Sequence, residues 1–194
     1  NNKREVSLIG EAMFRVKHDS LHPFLVHTKN FDVMDLGTVF NVQAYPEDRD
    51  AKASLISGSI EIIPKECHSK KILLVPHQRI IIPYKNTDKA TFVISVSVAD
   101  KPVISQIVPD SKSSIAPDTA WMVNKLIFMD ECFGDLALQM QRRYNIRISF
   151  VNEKTRYYKF TGRFEDENID EALKELQAIA PFTYTKSKNG IDIE

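Results

Sequence analysis

Three histidines close together, His18, His22 and His27, are the residues best suited to chemistry in this chain of 194 residues. Neutral imidazoles hold zinc or iron, and a β-barrel with inward histidines is one way to aim three of them at one point. The other two of the five, His68 and His77, stand further along the chain. Local pattern favours surface histidines instead. His18 and His22 flank Asp19-Ser20, a turn-like pair, and His27 alternates with Val26 and so faces outward. A metal-dependent β-barrel enzyme built on these three stays open as an alternative.

Other reactive constellations are weaker. Glu47, Asp48 and Asp50 with Arg49 form a charged run after Tyr45-Pro46, a solvated hairpin tip in its simplest form. Glu165, Asp166 and Glu167 precede a helical pattern, where negative charge favours the N-terminal dipole. Neither has the spacing or the glycine of a calcium loop. Six glycines, widely scattered, make no phosphate-binding loop, and Ser57-Gly58-Ser59 is no nucleophile elbow. Cys67 and Cys132, 65 residues apart, read as two unpaired thiols. Tyr144, Tyr157, Tyr158, Phe160 and Phe164 read first as packing, and second as a ligand platform. No cofactor and no bound metal are expected.

The elements that would position such residues fall into two halves. From Val6 to Val98 the pattern is strand after strand. Phe40, Val42 and Ala44 alternate with Asn41, Gln43 and Tyr45, and Phe92, Ile94, Val96 and Val98 alternate in the same way. Ala51 to Ile56 and Ser59 to Ile63 flank Ser57-Gly58 and predict a hairpin. The fold class is therefore mixed: an all-β domain over residues 1–108, a sandwich or rolled sheet, then a linker over 109–118, then a small α+β domain over 119–194. Pro109, Pro117 and the run Asp110 to Ser114 mark the linker. In the last stretch Phe133, Leu136, Ala137, Met140 and Tyr144 share one helix face. A second helix carries Ile169, Ala172, Leu173, Leu176 and Ile179, opened by the Asn168/Glu171 capping pattern and closed by Pro181. Strands at Ile146–Phe150 and Phe160–Phe164 and a hairpin through Tyr184 and Ile193 complete the order β-α-β-β-α-β-β, two helices on one face of a sheet. Trp121, beside Leu126 and Phe128, reads as core.

Composition narrows the function classes. Lys plus Arg number 26 against 26 Asp plus Glu, so the formal charge is zero, which excludes the basic excess a nucleic-acid binder needs. Apolar residues make up 43%, enough for a packed core and too many for wholesale disorder. No apolar run approaches the roughly 18 residues of a membrane span.

Several blocks nonetheless follow one another in a telling order: Gly10-Glu11-Ala12 with Phe14 and Val16, then Pro23-Phe24 with Val26, then Leu36-Gly37-Thr38 with Phe40-Asn41-Val42, then Leu55-Ile56-Ser57-Gly58. They resemble the periplasmic domain of FecR-like anti-sigma factors. The second half is similar to the C-terminal domain of Bacteroidetes members, through Trp121, Leu126 and Phe128, Leu136 to Asn145, Phe160-Thr161-Gly162 with Phe164, and Ala172-Leu173 with Leu176. Asn124 stands where members commonly have glycine, and Asn tolerates the positive φ such a turn requires. The resemblance implies that the sequence begins within the β domain, after its opening strands, a membrane helix and a sigma-binding segment.

What the resemblance implies is a non-catalytic periplasmic relay, part of a single-span inner-membrane protein. Its partner would be the signalling domain of a TonB-dependent outer-membrane transducer, and a cytoplasmic segment would hold an extracytoplasmic-function sigma factor. Because the C-terminal domain is similar to that signalling domain, like would pair with like, by strand addition or helix packing. Tyr158, Phe160, Gly162 and Phe164 on one strand, and Phe182, Tyr184, Ile191 and Ile193 on the hairpin, are the candidate partner-binding residues. A glycan-binding surface module, with Trp121 and the tyrosines as stacking platform, is a further alternative.

Overall fold

The alternating run Phe40 to Ala44 and the two runs flanking Ser57-Gly58 become strands in the computed structural model, which describes residues 4–65, 70–84 and 101–194. The expected strand at Phe92–Val98, and Cys67 and His68, lie outside the described residues. The chain divides into two compact units, Asn1–Val108 and Pro109–Glu194.

Unit one contains β1 (Arg4–Ser7), β2 (Gly10–Arg15), β3 (Phe24–His27), β4 (Phe31–Asp35), β5 (Val39–Ala44), β6 (Asp50–Ser57), β7 (Ile60–Pro64), β8 (Ile72–Leu74), β9 (Gln78–Pro83) and β10 (Val103–Gln106). They form two five-stranded sheets, ordered β1-β3-β4-β7-β8 and β10-β9-β6-β5-β2. Period two puts one row of each strand inside: Val26, Phe31, Val33, Ile60, Ile62 and Leu74 from the first sheet meet Phe40, Val42, Leu55 and Ile80 from the second. Phe14 stacks on Phe40 with ring centroids 5.1 Å apart.

Ser57-Gly58 is not the hairpin that local pattern predicts. β6 pairs with β5 and β9, whereas β7 pairs with β4 and β8, so the turn carries the chain from one sheet to the other. Gly58 has φ +90°, and a Cβ there would lie 2.5 Å from Thr38 Cγ2. The same chemistry that allows a hairpin allows this crossing, and only the partners of the flanking strands distinguish them.

Unit two runs through a 3-10 helix at Pro117–Val123, β11 (Leu126–Cys132), α1 (Phe133–Tyr144), β12 (Ile148–Phe150), a 3-10 helix at Glu153–Tyr157, β13 (Lys159–Phe164), α2 (Ile169–Ile179), β14 (Tyr184–Ser187) and β15 (Gly190–Ile193). The order β-α-β-β-α-β-β is as the sequence predicts. The single sheet is not: β11 pairs with β13 alone, and β12, β15 and β14 form a separate three-stranded sheet. Both sheets and both helices share one core, in which Phe128, Phe160 and Phe164 meet Leu136, Met140, Leu173, Leu176, Ile191 and Ile193. Each helix buries one face, Phe133, Leu136, Ala137 and Met140 on α1 and Ala172, Leu173 and Leu176 on α2.

Local signals set the helix ends. Asn168 accepts hydrogen bonds from the N–H groups of Asp170 and Glu171 at 3.0 and 3.1 Å, and its own N–H donates to Glu171 Oε2 at 2.9 Å. This reciprocal box satisfies three donors that α2 would otherwise expose. α1 stops at Asn145, whose φ of 50° lets its N–H reach back to the Gln141 carbonyl. Asn124, likewise at φ 55°, closes the first 3-10 helix as its residue type allows. No helix among the described residues is long and apolar enough to cross a membrane.

Candidate functional site

Five of the eight candidate partner-binding side chains are core. Phe160, Phe164, Phe182, Ile191 and Ile193 are between 0 and 7% exposed. Phe133 alone sits within 5.2 Å of the rings of Phe160 and Phe182. Tyr158 and Tyr184 are half-buried against the same cluster. Gly162 leaves room, but its occupant is internal: a Cβ there would meet the Phe128 ring at 3.1 Å, and Phe128 is its cross-strand neighbour on β11. These side chains pack, and the unit turns backbone edges and outer faces to solvent instead. Ile191 and Ile193 are corrected further, because β15 is the central strand, paired on both sides, and offers no edge at all.

Edges are therefore the geometry that decides. On β12 the ladder uses the Arg147 carbonyl, which accepts from Ile191, and the Val151 N–H, which donates to Ile193. Parallel pairing then turns the groups of Ile148 and Phe150 outward. The Ile148 N–H is already taken, by Gln141 Oε1 of α1 at 3.1 Å. On β13 the pairing with β11 shifts register between Phe128 and Glu131, a bulge that projects Met129 and Asp130 to solvent. Lys159 is tied to Asp130, which holds the ammonium pKa above its usual value chiefly through that hydrogen bond. Lysine and a twisting bulge are the devices by which sheets discourage edge pairing.

β14 differs. Thr183 and Glu194 exchange both backbone hydrogen bonds, at 3.2 and 2.8 Å. Antiparallel alternation then makes Thr185–Asp192 and Ser187–Gly190 the next bonded pairs, and it turns the N–H and C=O of Tyr184 and Lys186 away from β15. Phe182, one step earlier, has its carbonyl occupied by Gln177 Nε2 at 2.9 Å. Lys186 does not guard its own edge, since its Nζ folds back onto both carboxylate oxygens of Asp170 on α2, 2.9 Å from each. Sequence reasoning missed Thr185, Lys186 and Gln141. The signal was present: Thr185 to Ser187 is a polar run inside a strand, the composition of an edge.

Residues 109–118, expected as a linker, touch the two-stranded sheet through Asp110. Asp110 accepts from the N–H and hydroxyl of Ser113, both at 2.7 Å, and lies 3.3 Å from Arg163 Nη1 on β13. The Ser113 hydroxyl and then its N–H hold the Asp110 carboxyl below its ordinary pKa against the opposing effect of burial, with Arg163 and the Lys112 N–H adding lesser pulls in the same direction. Arg143 of α1 donates to the Asn124 carbonyl at 2.6 Å and also to the Glu165 carbonyl, joining two loops. Trp121 is 44% exposed, with Met122 and Val123 beside it at 52 and 55%, which corrects its reading as core. Its neighbour Ala120 takes the buried place.

In unit one the histidines make separate contacts. His22 Nδ1 lies 3.0 Å from Asp19, whose pKa this hydrogen bond lowers. His27 lies 3.0 Å from Asp32 and 3.5 Å from Glu5 through opposite ring nitrogens. His18 packs its backbone where a Gly37 Cβ would stand. Among the described residues no group of three or more His, Cys, Asp or Glu side chains is placed to hold an ion. Cys132 is a free thiol.

Comparison with known proteins gives three findings. Residues 1–61 match the family model described as FecR protein, and residues 125–193 match the one described as FecR, C-terminal. A crystal structure at 1.65 Å of a candidate anti-sigma factor from Parabacteroides distasonis superposes with a TM-score of 0.81 at 24% identity, covering 100% of this chain and 81% of that one. A second, at 2.50 Å from the same organism, gives 0.80 at 24%, covering 100% and 80%. At that identity the likeness is one of fold. No curated protein matches the chain.

Proposed function

The chain belongs to the FecR family of anti-sigma factors, and from that premise we propose that it is the periplasmic, signal-receiving part of such a regulator. The observation that carries this reading is the pair of domains in family order within one chain, FecR over 1–61 and FecR C-terminal over 125–193. Its work is protein–protein binding without turnover. The partner is the signalling domain of a TonB-dependent outer-membrane transducer, and the sigma factor belongs to the family's cytoplasmic segment, beyond a single membrane helix. An open strand edge in unit two supports recognition by strand addition, in which main-chain bonds give affinity and alternate side chains give selectivity. The formal net charge of zero suits an interface formed without strong electrostatic steering.

The experiment is retention of the whole chain on the immobilised signalling domain of the transducer encoded with it. Retention is expected; its absence at high micromolar concentration overturns the reading. The half-exposed Trp121 favours a second reading, a glycan-binding module with the indole as stacking surface. Glycan-array binding that is lost in Trp121→Ala would establish that reading in its place.

A further inference from the structure

We propose that the outer edge of β14 is the acceptor strand, and that it takes an extended strand of the transducer's signalling domain carrying a carboxylate on its α2-facing side. The inference rests on the reading above and adds to it the strand, the register and the chemistry of the partner. Main-chain geometry comes first. Of the edges in unit two, β12 has its outward Ile148 N–H capped by Gln141, and the two edges of the β11–β13 ribbon are interrupted by the β11 bulge between Phe128 and Glu131 and flanked by a paired lysine. β14 turns the donors and acceptors of Tyr184 and Lys186 outward in the alternate spacing that a fourth strand needs.

Beside that edge runs α2, and the contacts fix which of its rows a fourth strand would meet. Asp170 touches Lys186 near one end of β14, and Gln177 touches the Phe182 carbonyl near the other. Lys174 is four residues after Asp170 and three before Gln177, so it lies on the same row between them. Asp170 is neutralised by Lys186, whereas Lys174 is exposed and leaves a positive charge at the middle of the row. Glu171 and Glu175 sit about 100° round the helix, on the adjoining row. An incoming strand therefore finds two residues' worth of outward backbone groups and one ammonium beneath it, which together select an extended segment bearing Asp or Glu.

The test uses the whole chain and the purified signalling domain. In wild type the Tyr184 and Lys186 amides exchange freely with solvent, and the domain slows both at least tenfold. The Thr185 amide, already bonded to β15, is slow throughout. Lys186→Pro removes an outward N–H without touching the ladder to β15, and it abolishes binding with the fold retained. Lys186→Ala keeps the outward N–H and unpairs Asp170, so it still binds and weakens binding no more than roughly two- to fivefold. Lys174→Glu weakens binding roughly two- to fivefold, as an exposed pair does. If the domain binds but leaves both amides unprotected, the edge assignment is wrong while the functional reading stands. If the domain does not bind, both fall. If the chain dimerises alone and Lys186→Pro abolishes the dimer, the occupant is a second copy and the assignment to the transducer is overturned.

Discussion

Phe133→Leu is the perturbation whose cost the structure specifies best. Phe133 opens α1 fully buried, and its ring lies 5.1, 5.2 and 5.0 Å from those of Phe150, Phe160 and Phe182. Leucine keeps most of the apolar volume and loses all three aromatic contacts. Each such contact contributes roughly 0.5–1.5 kcal/mol beyond area burial, so the expected loss is roughly 2–4 kcal/mol. With a urea slope of about 1–1.5 kcal/mol per molar for a unit of this size, the midpoint falls by roughly 1–4 M. The assay is selective because Trp121 is the chain's one tryptophan and lies in unit two. Indole fluorescence follows unit two, and far-UV circular dichroism follows both units. The two hydrophobic cores share no residue, so the dichroism change attributable to unit one should keep its midpoint. A shift below about 0.5 kcal/mol, or an equal shift of every transition, would refute the reasoning.

Three further outcomes follow from the same geometry. Gly37→Ala destabilises unit one by roughly 2–4 kcal/mol with the indole transition unmoved, since φ is +144° and the new Cβ would lie 2.4 Å from His18 Cα. Asn168→Ala costs unit two about 1 kcal/mol in urea melts, and the double variant with Glu171→Ala costs less than the sum, because the box is reciprocal. The depressed carboxyl of Asp110 favours its ionised form in the folded state, so its stabilisation is present above about pH 4 and fades as pH falls through the lowered value. Indole-monitored melts at pH 6 and pH 3 should therefore differ less in Asp110→Asn than in wild type.

Local patterns were legible and long-range pairings were not. Leu136, Ala137 and Met140 recur at helical spacing and are buried as that spacing predicts, and the Asn168/Glu171 box forms where its residue types allow. Asn124 takes positive φ because its side chain tolerates that region. The Ser57-Gly58 crossing, by contrast, depends on which distant strands β6 and β7 join, and a turn residue carries no such information. The same holds for the division of unit two into two sheets, since period two shows which face is buried and not which neighbour pairs. The candidate site suffered from this most directly. Phe160, Phe164, Ile191 and Ile193 read in the sequence as residues of candidate edges, yet apolar residues on a half-buried strand point to the core. What an edge offers is backbone, and its sequence mark is the polar run Thr185 to Ser187 rather than the hydrophobic one.

Calorimetric titration of the transducer's signalling domain into the whole chain tests the proposed function. Saturable one-to-one binding in the micromolar range that changes little with salt is expected. No measurable heat up to several hundred micromolar, with both proteins folded, would contradict it.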